Sequence, residues 1–324
     1  MITIEEKYEP DQNWNKRVLE SELATIYQTK EIGIIYEKQN LIPKFITFID
    51  NKGKISGQLL VFESFRFEKS GFKGKILKKA PGIKKSTYKW SYGPIILNYN
   101  FSSEIYDALG KFLIKKKCKV SGNTHPFFQN NITAIGKNFN LLPWSTYMID
   151  LRKSKDELYN NIKKNSGRKN IERSIDRGVK IEEINESSLV DYYNLQNTTV
   201  DEFGPEKNAK FKELKERWNL LKPLGYSGFI AKKDGNTIGG LLFSFVNKHI
   251  IEGGVARSQE DFKQKFYSQD LIKWRIIEWG LKNKMKYYNL AGFNPEPKNE
   301  KEKGIFRYKE KWGGERQNYT IITR

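Results

Sequence analysis

Cysteine and histidine are nearly missing from this chain, with one Cys and two His in 324 residues. A lone cysteine, Cys118, cannot close a disulfide within the chain, and with only His125 and His249 beside it no conventional zinc cluster is expected. Cys118 stands at the end of a helical run before an apolar strand, the setting of a buried structural thiol rather than a nucleophile. Long apolar runs are missing too. No stretch approaches the roughly 18 residues of a membrane span. The opening Met1-Ile2-Thr3-Ile4-Glu5-Glu6 lacks the basic and apolar regions of a secretory signal. The expectation is a cytoplasmic protein without a metal or bound cofactor. There is no G-x-S-x-G elbow, H-E-x-x-H pair, Walker A loop or Rossmann glycine fingerprint, so catalysis through a covalent nucleophile is not indicated.

What is abundant is positive charge and aromatic side chains. Lys and Arg outnumber Asp and Glu by 58 to 38, a net charge of +20 that draws the surface toward polyanions. Charged tRNA, a nucleotide-linked precursor and the anionic face of a membrane all qualify. No zinc-finger spacing, basic zipper or RNP motif points to sequence-specific reading. The 20 Phe, 17 Tyr and 7 Trp supply real cores and argue against disorder.

Two segments read alike. Ile46–Asp50, Asn51-Lys52-Gly53 and Lys54–Phe62 form strand, turn and strand; Tyr226–Ala231, Asp234-Gly235 and Thr237–Phe245 repeat the pattern. Each returning strand contains glycine, a mark of a bulge or a close backbone approach. A helical run near 105–117 then leads to Lys119-Val120-Ser121-Gly122, and a second at 270–283 leads to Lys286–Gly292. The pattern predicts a duplicated α/β unit with mixed sheets, residues 1–145 forming one domain and 146–324 the other. The C-terminal tail is a candidate to complete the first. Ser154-Lys155-Asp156-Glu157 is a capping box, and its helix is expected to run through the basic stretch to a C-cap near Gly178. The helix at 270–285 carries apolar residues on two sides, so it is expected between layers, with Glu278 and Lys282 spaced to pair.

Chemistry is concentrated in two basic segments. Gly304–Gly314 reads as a short helix stopped by paired glycines, with Ile305, Tyr308 and Trp312 on one face and Arg307 and Lys311 together at i,i+4. Lys309 stands apart from that pair. A fixed cation there suits acyl transfer, in which a carbonyl oxygen gains negative charge; a solvated lysine is the competing reading. Earlier, Arg168, Lys169, Arg173 and Arg177 offer a stripe for a nucleic-acid backbone, the arginines with the fork suited to phosphate.

The run Gly304-Ile305-Phe306-Arg307-Tyr308-Lys309-Glu310-Lys311-Trp312-Gly313-Gly314 resembles the closing motif of the FemAB family of aminoacyltransferases. Ile26-Tyr27-Gln28-Thr29, Tyr92-Gly93-Pro94-Ile95 and Arg168–Val179 resemble further family segments, in the same order. The resemblance implies tandem GNAT-like domains and transfer of an amino acid from aminoacyl-tRNA to an amine of a cell-wall precursor. It implies catalytic roles for Lys309 and Tyr308: either oxyanion stabilisation or proton handling by the lysine. Arg168, Lys169, Arg173, Arg177 and Arg307 become donor or phosphate contacts, and Thr199, Lys38 and Tyr92 acceptor contacts. The chain departs from the pattern at Thr198–Gly204, where acids replace a phosphate-gripping arginine, and at Tyr36, where a lysine is expected. It has no room for the family's coiled-coil arm. Two other functions remain: an N-acyltransferase using acyl-CoA or acyl carrier protein, and a non-enzymatic polyanion-binding protein. The stretch Phe266–Leu271 has no glycine, which counts against a CoA pyrophosphate loop.

Overall fold

The computed structural model describes residues 1–65, 86–127, 131–198 and 210–324; Thr199 and the acidic stretch after it lie outside the described residues. The chain forms two compact units, Met1–Ser145 with Gln317–Arg324, and Thr146–Arg316. Its strands, in chain order, are β1 (Thr3–Lys7), β2 (Ile42–Ile49), β3 (Ile55–Phe65), β4 (Ser86–Trp90), β5 (Ile95–Ile96) and β6 (Lys119–Asn123). They continue as β7 (Asn140–Asp150), β8 (Lys180–Glu183), β9 (Tyr226–Lys233), β10 (Asn236–Val246), β11 (His249–Arg257), β12 (Tyr287–Phe293) and β13 (Glu315–Thr323).

In the first unit the strand order is β1-β2-β3-β4-β6, with the end of β13 beside β6. β1 through β4 pair antiparallel and β4 pairs parallel with β6. In the second unit the order is β8-β9-β10-β11-β12. Here β8 through β11 are antiparallel and β11 with β12 is parallel. The same five-strand plan is therefore built twice, as the paired sequence patterns predict.

Turn chemistry sets both hairpins. The Asp50 carboxylate accepts from the amides of Lys52 and Lys54 at 2.9 and 3.0 Å, and Gly53 takes a φ of +74°. Asp234 and Gly235 both lie in the left-handed region, the demand of a tight hairpin turn. The glycines of β10 allow close approach: a Cβ on Gly239 would stand 2.3 Å from Ser268 Oγ. The β9–β10 register slips between Thr237 and Gly239, the expected bulge.

Helix Ser102–Lys115 buries Ile105, Tyr106, Leu109 and Leu113 against Phe48, Leu59 and Val120 in the first core. Helix Ser268–Lys282 buries Leu271, Ile272, Ile276 and Ile277 in the second, together with Leu241, Phe243 and Trp312. Each fully buried aliphatic side chain contributes about 1.5–3 kcal/mol. Cys118 is buried, and burial pushes its thiol up to about 11, an inert group.

Two local expectations are corrected. The capping box of Ser154 and Glu157 is present, but its helix ends at Asn161 instead of running to Gly178. Ile162 is extended and 1% exposed, and the Lys163 amide donates to Lys311 O at 2.8 Å. The chain restarts through a wide turn, Lys164–Arg168, into helix Lys169–Asp176. Packing Ile162 into the core outweighs continuing the helix, and Gly167 permits it, since a Cβ there would meet Ile162 Cγ2 at 2.2 Å. Glu278 pairs with Lys155 and Arg275, at 2.6 and 2.7 Å, rather than with Lys282.

Candidate active site

Helix Glu300–Glu310 starts earlier than its sequence pattern suggests, because the Asn299 side chain caps the Glu302 amide. It ends at the paired glycines, where Gly313 has a φ of +70° and a Cβ would stand 2.4 Å from Asn161 O. Ile305 and Trp312 face the second core as expected, and Trp312 is 1% exposed.

This helix directs Lys309 to the end of β12. The Lys309 ammonium donates to Ala291 O at 2.9 Å and Gly292 O at 3.0 Å. Ala291 has a φ of +60°, a conformation costing a non-glycine residue about 1–2 kcal/mol. It is held by a small polar network with Asn289 and Thr146. Its amide donates to Asn289 Oδ1 at 2.8 Å, and the Thr146 hydroxyl, with one hydrogen to share, lies 2.9 Å from Ala291 O and 2.6 Å from Asn289 Oδ1. In this conformation the Ala291 carbonyl accepts from the lysine. Strands β11 and β12 are laddered over His249–Ile251 and Tyr287–Asn289, so Lys309 binds where β12 has parted from β11. Burial lowers the Lys309 pKa to about 8; Glu252 opposes that shift and Lys273 adds to it.

Around Tyr308 lies a buried charge network that sequence reasoning missed. Lys273, 2% exposed, pairs with Glu252, which also accepts from the Tyr288 hydroxyl at 2.6 Å. Lys311, expected beside Arg307 on a basic face, is instead buried and paired with Asp270. Burial drives this pair toward neutrality, raising the Asp270 carboxyl and lowering the Lys311 ammonium. Lys311 and Lys273 lie 4.1 and 5.5 Å from the centre of the Tyr308 ring. The Tyr308 hydroxyl is buried with no hydrogen-bond partner among the described residues, and burial raises its pKa well above normal. One signal in the sequence was available: Asp270 and Lys273 fall among Leu271, Ile272, Trp274, Ile276 and Ile277.

The other sequence-chosen residues are spread out. Lys169, Arg173 and Arg177 are exposed at helix Lys169–Asp176 and its C-cap, forming one face. Arg177 is already committed to Gln264 O and Lys265 O, at 2.5 and 2.6 Å. Arg168 is half-buried, bonded to Asn160 at 3.2 Å and lying over Tyr159. Arg307 is exposed, 3.9 Å from Glu300. In the first unit Tyr92 is buried among the rings of Tyr27, His125 and Tyr319, whereas Lys38 is exposed at a helix C-terminus. Neither lines that unit's cavity of about 330 Å³, which Tyr36 does line.

The start of helix Ser268–Lys282 bears on donor choice. The buried Asp261 carboxylate accepts from the Ser268 amide at 2.9 Å and is paired with Arg257. Asp270 sits in the same first turn. Carboxylates thus stand where a helix N-terminus would otherwise receive a pyrophosphate.

No protein-family model matches the sequence, and no curated protein matches it. Solved structures do share its fold. FemX is 12% identical with a TM-score of 0.69, covering 98% of this chain and 96% of its own. The C-terminal domain (DUF2156) of a putative lysylphosphatidylglycerol synthetase from Agrobacterium fabrum is 9% identical, with a TM-score of 0.58 over 96% of this chain and 90% of that one. A tandem GNAT protein from the clavulanic acid biosynthesis pathway is 9% identical, with a TM-score of 0.55 over 100% and 98%. What is shared at these identities is the fold, a duplicated GNAT-like architecture of FemX type.

Proposed function

We propose that this protein transfers an aminoacyl group from aminoacyl-tRNA to an amine of a cell-envelope precursor. The observation that carries the reading is Lys309, a partly buried ammonium fixed by two carbonyls where β12 has parted from β11. Two of its three hydrogens are engaged, leaving one for an oxygen that gains charge. The acceptor nitrogen attacks the ester carbonyl carbon, and the carbonyl pair moves onto oxygen beside Lys309. Collapse breaks the carbon–oxygen ester bond; the tRNA hydroxyl leaves with the proton lost by the amine. The pairs Lys273–Glu252 and Lys311–Asp270 pack around Tyr308, the residue next to Lys309, and in this reading hold that end of the helix in place.

The exposed Lys169 and Arg173 suit the tRNA backbone, and the net charge of +20 suits long-range attraction of a polyanion. The envelope acceptor rests on the resemblance of the C-terminal segment to the FemAB family. Acyl-CoA is disfavoured by Asp261 and Asp270 at the helix start. A donor screen tests the proposal: charged tRNA and acyl-CoA are each incubated with an amine-bearing precursor peptide, and the product mass is read. An aminoacyl adduct from charged tRNA alone is expected. Adduct from acyl-CoA alone, or none from folded protein with either donor, would refute it.

A further inference from the structure

We propose that Asn170 and Asp270 are positioning residues, which fix the span between the basic helix Lys169–Asp176 and the reaction lysine Lys309. The link is a chain of side chains within the second unit. Asn170 Nδ2 donates to Asp270 Oδ2 at 3.2 Å, and the other oxygen of that carboxylate pairs with Lys311. Lys311 lies two residues beyond Lys309, at the C-cap of helix Glu300–Glu310. Asp270 and Lys311 are 4% and 5% exposed, so water does not compete for either group. Asn170 Nδ2 also donates to Ser166 O at 2.9 Å, which engages both hydrogens of its amide.

A second strap runs beside the first. The Lys163 amide donates to Lys311 O at 2.8 Å, and the Lys163 ammonium pairs with Glu310 at 2.5 Å. Both straps start from the segment 163–170, which leads into the exposed Lys169 and Arg173. At the far end of the basic helix, Arg177 is fixed to Gln264 O and Lys265 O, just before helix Ser268–Lys282. The helix is therefore tied at both ends, and one tie continues to the residues flanking Lys309. A buried ion pair adds little stability over an apolar contact, whereas its directional bonds specify one geometry. The inference rests on the aminoacyl-transfer reading, in which the donor backbone is held at Lys169 and Arg173 while its ester reacts beside Lys309. A fixed span keeps the ester carbonyl within reach of the ammonium, and a misplacement of about 1 Å costs up to about 10²-fold in rate.

Asn170→Ala, Asp270→Asn and the double variant test the link, with charged tRNA and an amine-bearing precursor peptide as substrates. Asn170→Ala should lower kcat about tenfold and leave KM for charged tRNA within about twofold, since Lys169 and Arg173 remain. Asp270→Asn should lower kcat at least as much. The double variant should be no slower than the slower single one, because a chain in series is broken once. A second readout needs no turnover. In 13C-lysine NMR the Lys309 signal, assigned by its loss in Lys309→Ala, should titrate above about 8 in Asn170→Ala, toward the ordinary 10.5, as its seat loosens. Glu252 and Lys273, the charged groups that act on Lys309, are untouched by that change. An unchanged kcat in folded Asn170→Ala, a loss confined to KM, or effects that multiply in the double variant would each overturn the proposal. If Asp270→Asn does not fold, Asn170→Ala, at a half-buried side chain, decides alone. If the unmodified protein transfers nothing, the functional reading fails and the titration decides the link: an unmoved Lys309 signal overturns it.

Discussion

The two units repeat one strand plan but fill their interiors differently. In the first, helix Ser102–Lys115 packs the sheet through Ile105, Tyr106, Leu109 and Leu113, and β4 stays laddered to β6 from Thr87 to Trp90. In the second, helix Ser268–Lys282 buries Asp270 and Lys273 among its isoleucines, and β11 parts from β12 after three pairs. Both units bury charge: the first holds Lys44 between Glu6 and Glu63, whereas the second holds two ion pairs, Lys273–Glu252 and Lys311–Asp270, around Tyr308. Burying an ion pair seldom raises stability, because desolvation offsets the Coulomb gain. Charges retained at a parted strand pair, around a lysine whose pKa is lowered, are the arrangement expected of a reaction site.

The comparison breaks most sharply at Lys309. Lys309→Ala should lower the rate of aminoacyl transfer by about 10²–10³-fold, the usual cost of losing one oxyanion donor. Thermal unfolding should show the variant still folded. An unchanged rate would remove Lys309 from the chemistry and with it the functional contrast between the units. Next in size is stability. Glu252→Leu strands Lys273 in the second core and should cost about 3–5 kcal/mol in denaturant unfolding. Ile105→Val in the first core should cost about 0.5–1.5 kcal/mol. Equal costs would mean that the Glu252–Lys273 pair is not held desolvated.

The pH profile comes third. Lys309 is cationic below about 8, so a rate carried by its ammonium should fall as pH rises through that value. The measurement needs a weakly basic amine acceptor whose own titration lies at lower pH. A rate that rises through the same window would instead assign proton removal to the neutral amine. Stability has the opposite slope. Its folded pKa lies below the ordinary lysine value of 10.5, so the unfolded chain binds more protons between about 8 and 10.5, and this group's contribution to stability increases with pH there. The smallest effect is at the basic helix. Removing Lys169 and Arg173 together should weaken tRNA binding and flatten its salt dependence by about 0.9 for each phosphate no longer neutralised.

Much of the architecture is legible in the sequence. Asp-Gly turns, glycines in returning strands, and helices leading into short strands are local rules, and they reveal the repeated plan. The C-terminal motif singles out Lys309 and Tyr308, but neither spacing nor composition indicates what surrounds them. Lys311 looks like one more surface lysine in a lysine-rich chain, and the helix expected to pass through Lys163 is broken at Ile162. Glu252 and Lys273 escape notice because their pairing spans 21 residues and two elements.

Sequence by itself therefore determined the repeated unit, the charge that favours polyanions, and the impossibility of a disulfide within the chain, because these follow from residue type and near-neighbour spacing. Only the tertiary structure decided which cations are buried, where β11 and β12 part, and which carbonyls receive Lys309. Desolvation and long-range pairing depend on neighbours distant in the chain. The same lysine side chain is exposed to solvent at Lys169 and partly buried at Lys309, where desolvation lowers its pKa to about 8.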